Sequence, residues 1–322
     1  MSAADGATGR PSPSAGADTR YIGRFAPTPS GPLHAGSLLA AVISWLDARS
    51  TGGRWHLRID DIDGPRVQAG AADSILSTLE IFGLAWDGPE TWQSRHVDTY
   101  RDTLEHLLAG DHAFPCGCTR RDLAASGRVG WEGPIYPGTC RQGLPRDRRP
   151  RAVRARAATR YWTIDDRFLG PVAFDLEALG SDFVVRRADG IFAYQLATVV
   201  DDLALGVTRV VRGIDLLGST PRQLQLYQAL GQPAPAHAHH PVIVGAGGTK
   251  LAKGTGAEGI RPDDARALLA AALTAIGLPP SDPHAPDRPA NQLAEALAQL
   301  RGRSLATTLP MASALPAGHG AL

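Results

Sequence analysis

The chain has 322 residues, 43% of them hydrophobic, with 33 Lys and Arg against 32 Asp and Glu for a net charge of +1. That is room for two domains with an ordinary globular core. A charge so close to zero gives by itself no sign of a nucleic-acid partner, because it averages over faces. No window of about 18 apolar residues lacks a charge or a helix breaker, so neither a membrane span nor a secretory signal is expected and the expected location is cytoplasmic.

Residues 1–19 are rich in Ala, Gly, Ser and Pro without hydrophobic periodicity and are expected to be disordered. From Tyr21 the pattern becomes strand, turn, helix: YIGRFAP is short and partly apolar, TPSGPLHAG is turn-rich, and SLLAAVISWLDARS has helical spacing. RWHLRID reads as a second strand ending in acids, AADSILSTLEIF (71–82) as an amphipathic helix, and 96–109 as a further helix. Strand, helix, strand in this order predicts an α/β fold with a Rossmann-like parallel-sheet core, whose ligand site lies at the carboxyl ends of the strands. A loop-rich stretch holding all three cysteines then interrupts the alternation. The alternation is expected to resume with the strand DFVVRRADG, the helix AYQLATVVDDLALG and the strand TRVVRGIDLL, rejoining the first sheet. After Pro233 the Ala/Leu-rich patterns PDDARALLAAALTAIG and NQLAEALAQLRGR predict a helical C-terminal region. The expected division is therefore a core over 20–110 and 160–235, an insertion over 111–159, a helical region over 236–302 and a flexible tail over 303–322.

Cys116, Cys118 and Cys140 fall within 25 residues of one another in an otherwise cysteine-free chain. An odd, clustered set argues against a disulfide framework, and CxC followed by a Cys about twenty residues later suits a structural zinc ion. Three thiolates leave a fourth place open, and His112 is one candidate for it. Residues 141–160 hold eight arginines against one acid, Asp147. They can set a positive patch beside a phosphate backbone or simply solvate a surface loop.

Two further segments carry chemistry. In RFAPTPSGPLHAGS, prolines and glycines shape a loop ahead of a helix whose first N–H groups are open to phosphate. His34, Gly36 and Ser37 stand at that entrance. In GGTKLAKGTGA, Lys250 and Lys253 lie three apart in a glycine-rich loop able to close over a triphosphate. Either segment alone is a weak signal, the first being a plain tight loop as readily as a phosphate site.

Together, HAGS and KLAKG resemble the paired HIGH and KMSKS signatures of the class I aminoacyl-tRNA synthetases. RFAPTPSGPLHAGS, LRIDDIDGPR, AYQLATVVDD and VVRGIDLLGSTPRQ resemble the glutamyl branch of that class. The resemblance runs from Tyr21 to about Thr255. It implies an enzyme, a ligase that activates glutamate with ATP and Mg²⁺, with His34, Lys250 and Lys253 catalytic and His34, Gly36, Ser37, Lys250 and Lys253 on ATP. It further implies a glutamate site of Arg24, the backbone of Phe25, Ala26, Pro27 and Thr28, Asp60, Tyr194 and Arg212. Glutamate needs cationic forks for its carboxylates and an acid for its amine, which Arg24, Arg212 and Asp60 supply.

The family commonly has Glu at position 60, Ser37 stands for the second histidine of HIGH, and Ala252 and Gly254 replace the serines of KMSKS. The resemblance also implies Tyr136, in YPGTC, as an unusual phenolate in the fourth zinc place beside the cysteines. Only about 65 residues follow Gly256, leaving no large anticodon-binding region. Relatives sharing that truncation attach glutamate to queuosine at the wobble position of tRNA(Asp), which is thus the implied partner. A truncated enzyme charging a tRNA 3′ end, or a zinc-containing RNA-binding protein without catalysis, are the alternatives.

Overall fold

The structure is a computed structural model that describes residues 21–130, 133–241, 260–282 and 288–309. The segment 1–19 and the loop bearing Lys250 and Lys253 lie outside the described residues. In chain order the elements begin with strand β1 (Ile22–Phe25), helix α1 (Ala35–Ser50), β2 (Arg54–Ile59), α2 (Ala71–Ile81), β3 (Thr91–Trp92) and α3 (Val97–Ala109). Then come β4 (Ala113–Cys116), α4 (Arg120–Ala125), β5 (Val129–Gly130), β6 (Gly133–Pro134), β7 (Ala152–Ala155), β8 (Tyr161–Asp166), β9 (Gly170–Asp175) and β10 (Phe183–Arg186). The chain continues with α5 (Tyr194–Ala204), β11 (Arg209–Gly213), α6 (Thr220–Ala229), β12 (Ala236–His240), α7 (Ala265–Ala275) and α8 (Pro289–Gln299).

The opening is the right kind of unit for the predicted fold: β1 and β2 pair in parallel with Ile22 opposite Arg54, and β2 pairs in parallel with β3. β11 and β12 form a second parallel pair. Its β11 lies along the free edge of β1 in the same sense. The Thr208 N–H donates to the Ile22 carbonyl at 2.9 Å, and Arg24 reaches the Val211 carbonyl. The carboxyl ends of these strands therefore share one end of the layer. Gly53 lets β2 begin close against β1, because a Cβ there would stand 2.6 Å from the Cβ of Tyr21.

One apolar core joins Leu38, Val42 and Leu46 of α1 to Trp55 and Leu57 of β2, and to Leu269, Leu273, Leu293 and Leu300 of the C-terminal region. The predicted C-terminal helices thus cover α1. Leu305 and Leu309, in the stretch expected to be a flexible tail, are buried in the same core, and 310–322 lie outside the described residues.

The segment DFVVRRADG departs from the expectation. Its strand β10 pairs antiparallel with β7, and β7 pairs antiparallel with β4, so it does not rejoin the parallel sheet. β8 and β9 add a six-rung antiparallel hairpin that the sequence reading left unassigned. A short strand shows by its own pattern that it is extended, but not which edge it will pair with. Among the described residues, no helix is long and apolar enough to cross a membrane.

Candidate functional site

The loop after β1 leads into α1 through His34, the N-cap. Its Nδ1 accepts the Ser37 N–H at 3.3 Å, satisfying one of the donors a helix start leaves over. An imidazole accepting at Nδ1 carries its proton at Nε2 when neutral, so its outer nitrogen is a donor. Ala35 and Gly36 form the first turn beside it, where the helix dipole favours an anion. Of the residues given to ATP, His34, Gly36 and Ser37 are brought together, while Lys250 and Lys253 lie outside the described residues.

Arg24 and Asp60 fall into one buried network at the strand ends, and Arg212 with Tyr194 into a second. The centre of the first is a residue the sequence reading passed over, Arg58, whose side chain is fully buried. Arg58 binds Asp60 at 2.7 Å, Asp202 at 2.6 Å and Asp201 at 3.7 Å, and Arg24 shares Asp202 at 3.1 Å. Asp201 is itself held by Gln93, His96 and Tyr100, each at 2.8 Å. Burial works against the charge on Arg58, but Asp60 and Asp202 outweigh it and hold its pKa well above the ordinary value. Burial lifts the Asp202 carboxyl, yet Arg24 and Arg58 together bring it below the ordinary range. For Asp60 burial wins over Arg58 and its pKa is raised. Three carboxylates thus stand against two guanidiniums.

Arg212, at the carboxyl end of β11, has a different neighbourhood. Its Nε donates to His239 at 3.1 Å, one terminal nitrogen to Gln223 at 2.7 Å and the other to Thr220 at 2.7 Å. Half-buried Tyr194, in the first turn of α5, adds a hydrogen bond to the same side chain. Among the described residues no carboxylate is within ion-pairing distance of Arg212, and burial lowers its pKa. A planar fork with neutral partners can still offer an N–H from each terminal nitrogen to an incoming carboxylate. The backbone of the β1 exit closes the site: the Asp60 N–H donates to the Pro27 carbonyl at 2.9 Å. Phe25 turns its ring into the core against Trp55, ahead of Ala26, Pro27 and Thr28 in the loop that leaves β1.

The three cysteines converge as predicted. Their sulfurs lie within 4.8 Å of one another, Cys118 and Cys140 at 3.8 Å. The Tyr136 hydroxyl is 3.7 Å from the Cys116 sulfur and accepts the Cys140 N–H at 2.7 Å. Sulfurs about 2.3 Å from a tetrahedral ion stand about 3.8 Å apart, so this donor set fits zinc. His112, the alternative fourth ligand, is exposed in the turn before β4 and outside the cluster. Burial raises the Cys118 thiol to about 11, with Cys116 adding to it, and raises the Tyr136 hydroxyl; a cation at the centre reverses both.

Half of the arginines in the arginine-rich stretch are neutralised from outside it. Arg141 pairs with Asp182, Arg148 with Asp122, Arg156 with Asp111, and Arg160 with Asp175 and Glu177. Arg154 lies 4.1 Å over the Tyr136 ring, leaving Arg146, Arg149 and Arg151 as the exposed arginines of the stretch without an ion pair among the described residues.

Comparison with known proteins agrees with this geometry. The family described as "tRNA synthetases class I (E and Q), catalytic domain" matches residues 22–282. A protein of Chromobacterium violaceum named glutamyl-Q tRNA(Asp) synthetase is 53% identical over 263 residues, covering 81% of this chain and 88% of that protein. One of the same name from Aromatoleum aromaticum is 54% identical over 260 residues, covering 81% and 82%. Among solved structures, the glutamate-tRNA synthetase of Elizabethkingia anophelis superposes with a TM-score of 0.73 at 25% identity, over 90% of this chain and 67% of that one.

Proposed function

Because the chain belongs to the catalytic-domain family of the class I tRNA synthetases for glutamate and glutamine and is a ligase, we propose that it activates glutamate with ATP and transfers it to queuosine at the wobble position of tRNA(Asp). The observation that carries the amino-acid half is the pair of unlike buried charge environments at the strand ends. Arg212, buried with neutral partners, calls for an anion. The three-to-two excess of carboxylate at Asp60, Asp201 and Asp202 over Arg24 and Arg58 calls for a cation. An amino acid with a side-chain carboxylate has both, and the names of relatives more than half identical to the chain support glutamate.

In this reading Arg212, with Tyr194, takes one substrate carboxylate, Asp60 faces the ammonium, and Arg24 and the main chain of 25–28 line the remainder. The α-carboxylate attacks the α-phosphorus of ATP and pyrophosphate leaves; a hydroxyl of the queuosine cyclopentenediol then attacks the acyl carbon, loses its proton and displaces AMP. Acceleration comes from alignment and from charge neutralisation at phosphorus. The His34 Nε2–H and the start of α1, with Gly36 and Ser37, meet the phosphates; Lys250 and Lys253 complete that role with Mg²⁺. Cys116, Cys118, Cys140 and Tyr136 hold a structural zinc that ties the 111–159 insertion together, and the setting is the cytoplasm, where tRNA and ATP are found.

The purified chain is expected to show glutamate-dependent ATP–pyrophosphate exchange, to charge tRNA(Asp) only when queuosine is present, and to contain one zinc. Charging of tRNA(Glu), or of tRNA(Asp) lacking queuosine, would replace the queuosine reading by 3′-end charging. No exchange with any amino acid would leave RNA binding alone.

A further inference from the structure

Behind Arg212 stands a buried pair with no place in the mechanism above. His239, on β12, and Asp166, at the end of β8, both have side chains closed to solvent. The His239 Nδ1 is 2.6 Å from Asp166 Oδ2, and its Nε2 is 3.1 Å from the Nε of Arg212. An arginine Nε can only donate, so Nε2 of the imidazole accepts and the ring proton sits on Nδ1, shared with the carboxylate. The Thr220 hydroxyl, which accepts from Arg212 at 2.7 Å, lies 3.1 Å from the same Nε2. Burial lowers the His239 pKa to about 4 against the upward pull of Asp166, so near neutral pH the ring is uncharged and has one tautomer to choose.

We propose that Asp166 and His239 are positioning residues that hold the Arg212 guanidinium in the orientation needed to take the substrate carboxylate. The role rests on the reading of Arg212 as the carboxylate fork. The antiparallel hairpin β8–β9 thereby acts on a site built by the parallel strands. Without an acceptor at Nε2, the Nε–H of Arg212 is left unsatisfied in a buried setting and the fork rotates to find another partner.

Asp166 allows a test in which the more conservative change does more harm. Its Oδ1 accepts the N–H groups of Phe168 at 3.0 Å, Leu169 at 3.0 Å and His239 at 3.1 Å. In Asp166→Asn those three donors hold the amide oxygen at the Oδ1 position and leave the NH₂ facing His239 Nδ1. The ring must then accept at Nδ1 and carry its proton on Nε2, donor against donor with Arg212. Asp166→Ala loses the backbone contacts, but leaves the ring able to keep its proton on Nδ1.

The measurement is glutamate-dependent pyrophosphate exchange on the parent chain, Asp166→Asn and Asp166→Ala, with thermal unfolding and histidine ¹⁵N spectra on each. The expected result is a rise of roughly 10- to 100-fold in the KM for glutamate in Asn, a smaller rise in Ala, and little change in the KM for ATP. The Tm should fall more in Ala than in Asn, and the His239 proton should move from Nδ1 to Nε2 in Asn. A merely structural Asp166 gives Ala the larger loss in both kinetics and Tm, and that outcome overturns the proposal, as does a parent His239 protonated at Nε2. An active parent whose Asn variant keeps its glutamate KM refutes the positioning role alone. A parent with no glutamate-dependent exchange refutes the substrate reading, and the role of the pair falls with it.

Discussion

Two buried arginines, Arg58 and Arg212, have opposite surroundings. Arg58 lies among Asp60, Asp201 and Asp202, whereas Arg212 lies among a histidine, a threonine and a glutamine. The first cluster ties β2 to α5 through ion pairs of its own and still carries one carboxylate in excess. The second has its donors arranged by neutral groups and lacks an anion. Burial of a charge is therefore not by itself the mark of a binding residue; the absence of a matching charge is.

Substitution separates the two most strongly at Arg58. Arg58→Met leaves three carboxylates buried with only Arg24 to answer them, and is expected to cost about 3–5 kcal/mol of unfolding free energy in urea titrations. A loss under about 1 kcal/mol would mean the cluster is not a structural tie.

Acid should reach the two regions in sequence. The unfolded His239 takes up its proton below about pH 6.5, the folded one only near 4. Stability present above that window is thus lost as the pH falls across it, by about 3 kcal/mol from this residue. His237 and His240, also lowered chiefly by burial, act in the same direction. Asp202, whose folded pKa lies below its unfolded 3.8, keeps its contribution until the pH drops beneath that value. Unfolding measured from pH 7 to 3 should show the histidine loss first, and a flat profile down to pH 4 would place protonated imidazoles in the folded state.

The smallest stability effect is expected at Arg212 itself. Arg212→Met removes a buried charge that has no acid but leaves His239, Gln223 and Thr220 without their donor, so unfolding free energy should fall by about 1–3 kcal/mol. Glutamate-dependent exchange should nevertheless fall below detection, which separates a ligand-binding arginine from a structural one.

The pattern of residues was enough for the β1–α1–β2 opening, for the helices after residue 260, and for the convergence of Cys116, Cys118 and Cys140. Those features are local periodicities, or short motifs whose resemblance placed them. Arg58 went unnoticed inside LRIDD because a strand arginine is ordinarily a surface group, and its partner Asp202 is 144 residues away. Asp166 and His239 are 73 residues apart and belong to strands of different sheets, one of them in a hairpin that the sequence reading left unassigned.

Sequence alone determined the opening strands and most of the longer helices, and which side chains carry charge, sulfur or imidazole, because those depend on a residue and its near neighbours. Tertiary structure alone decided which charge is matched, which tautomer a buried ring adopts, that β10 pairs with β7, and that half of the arginines of 141–160 meet acids from elsewhere. Each of these depends on contacts across long stretches of chain, and in a low-dielectric interior the identity of the contacting group sets its electrostatic state.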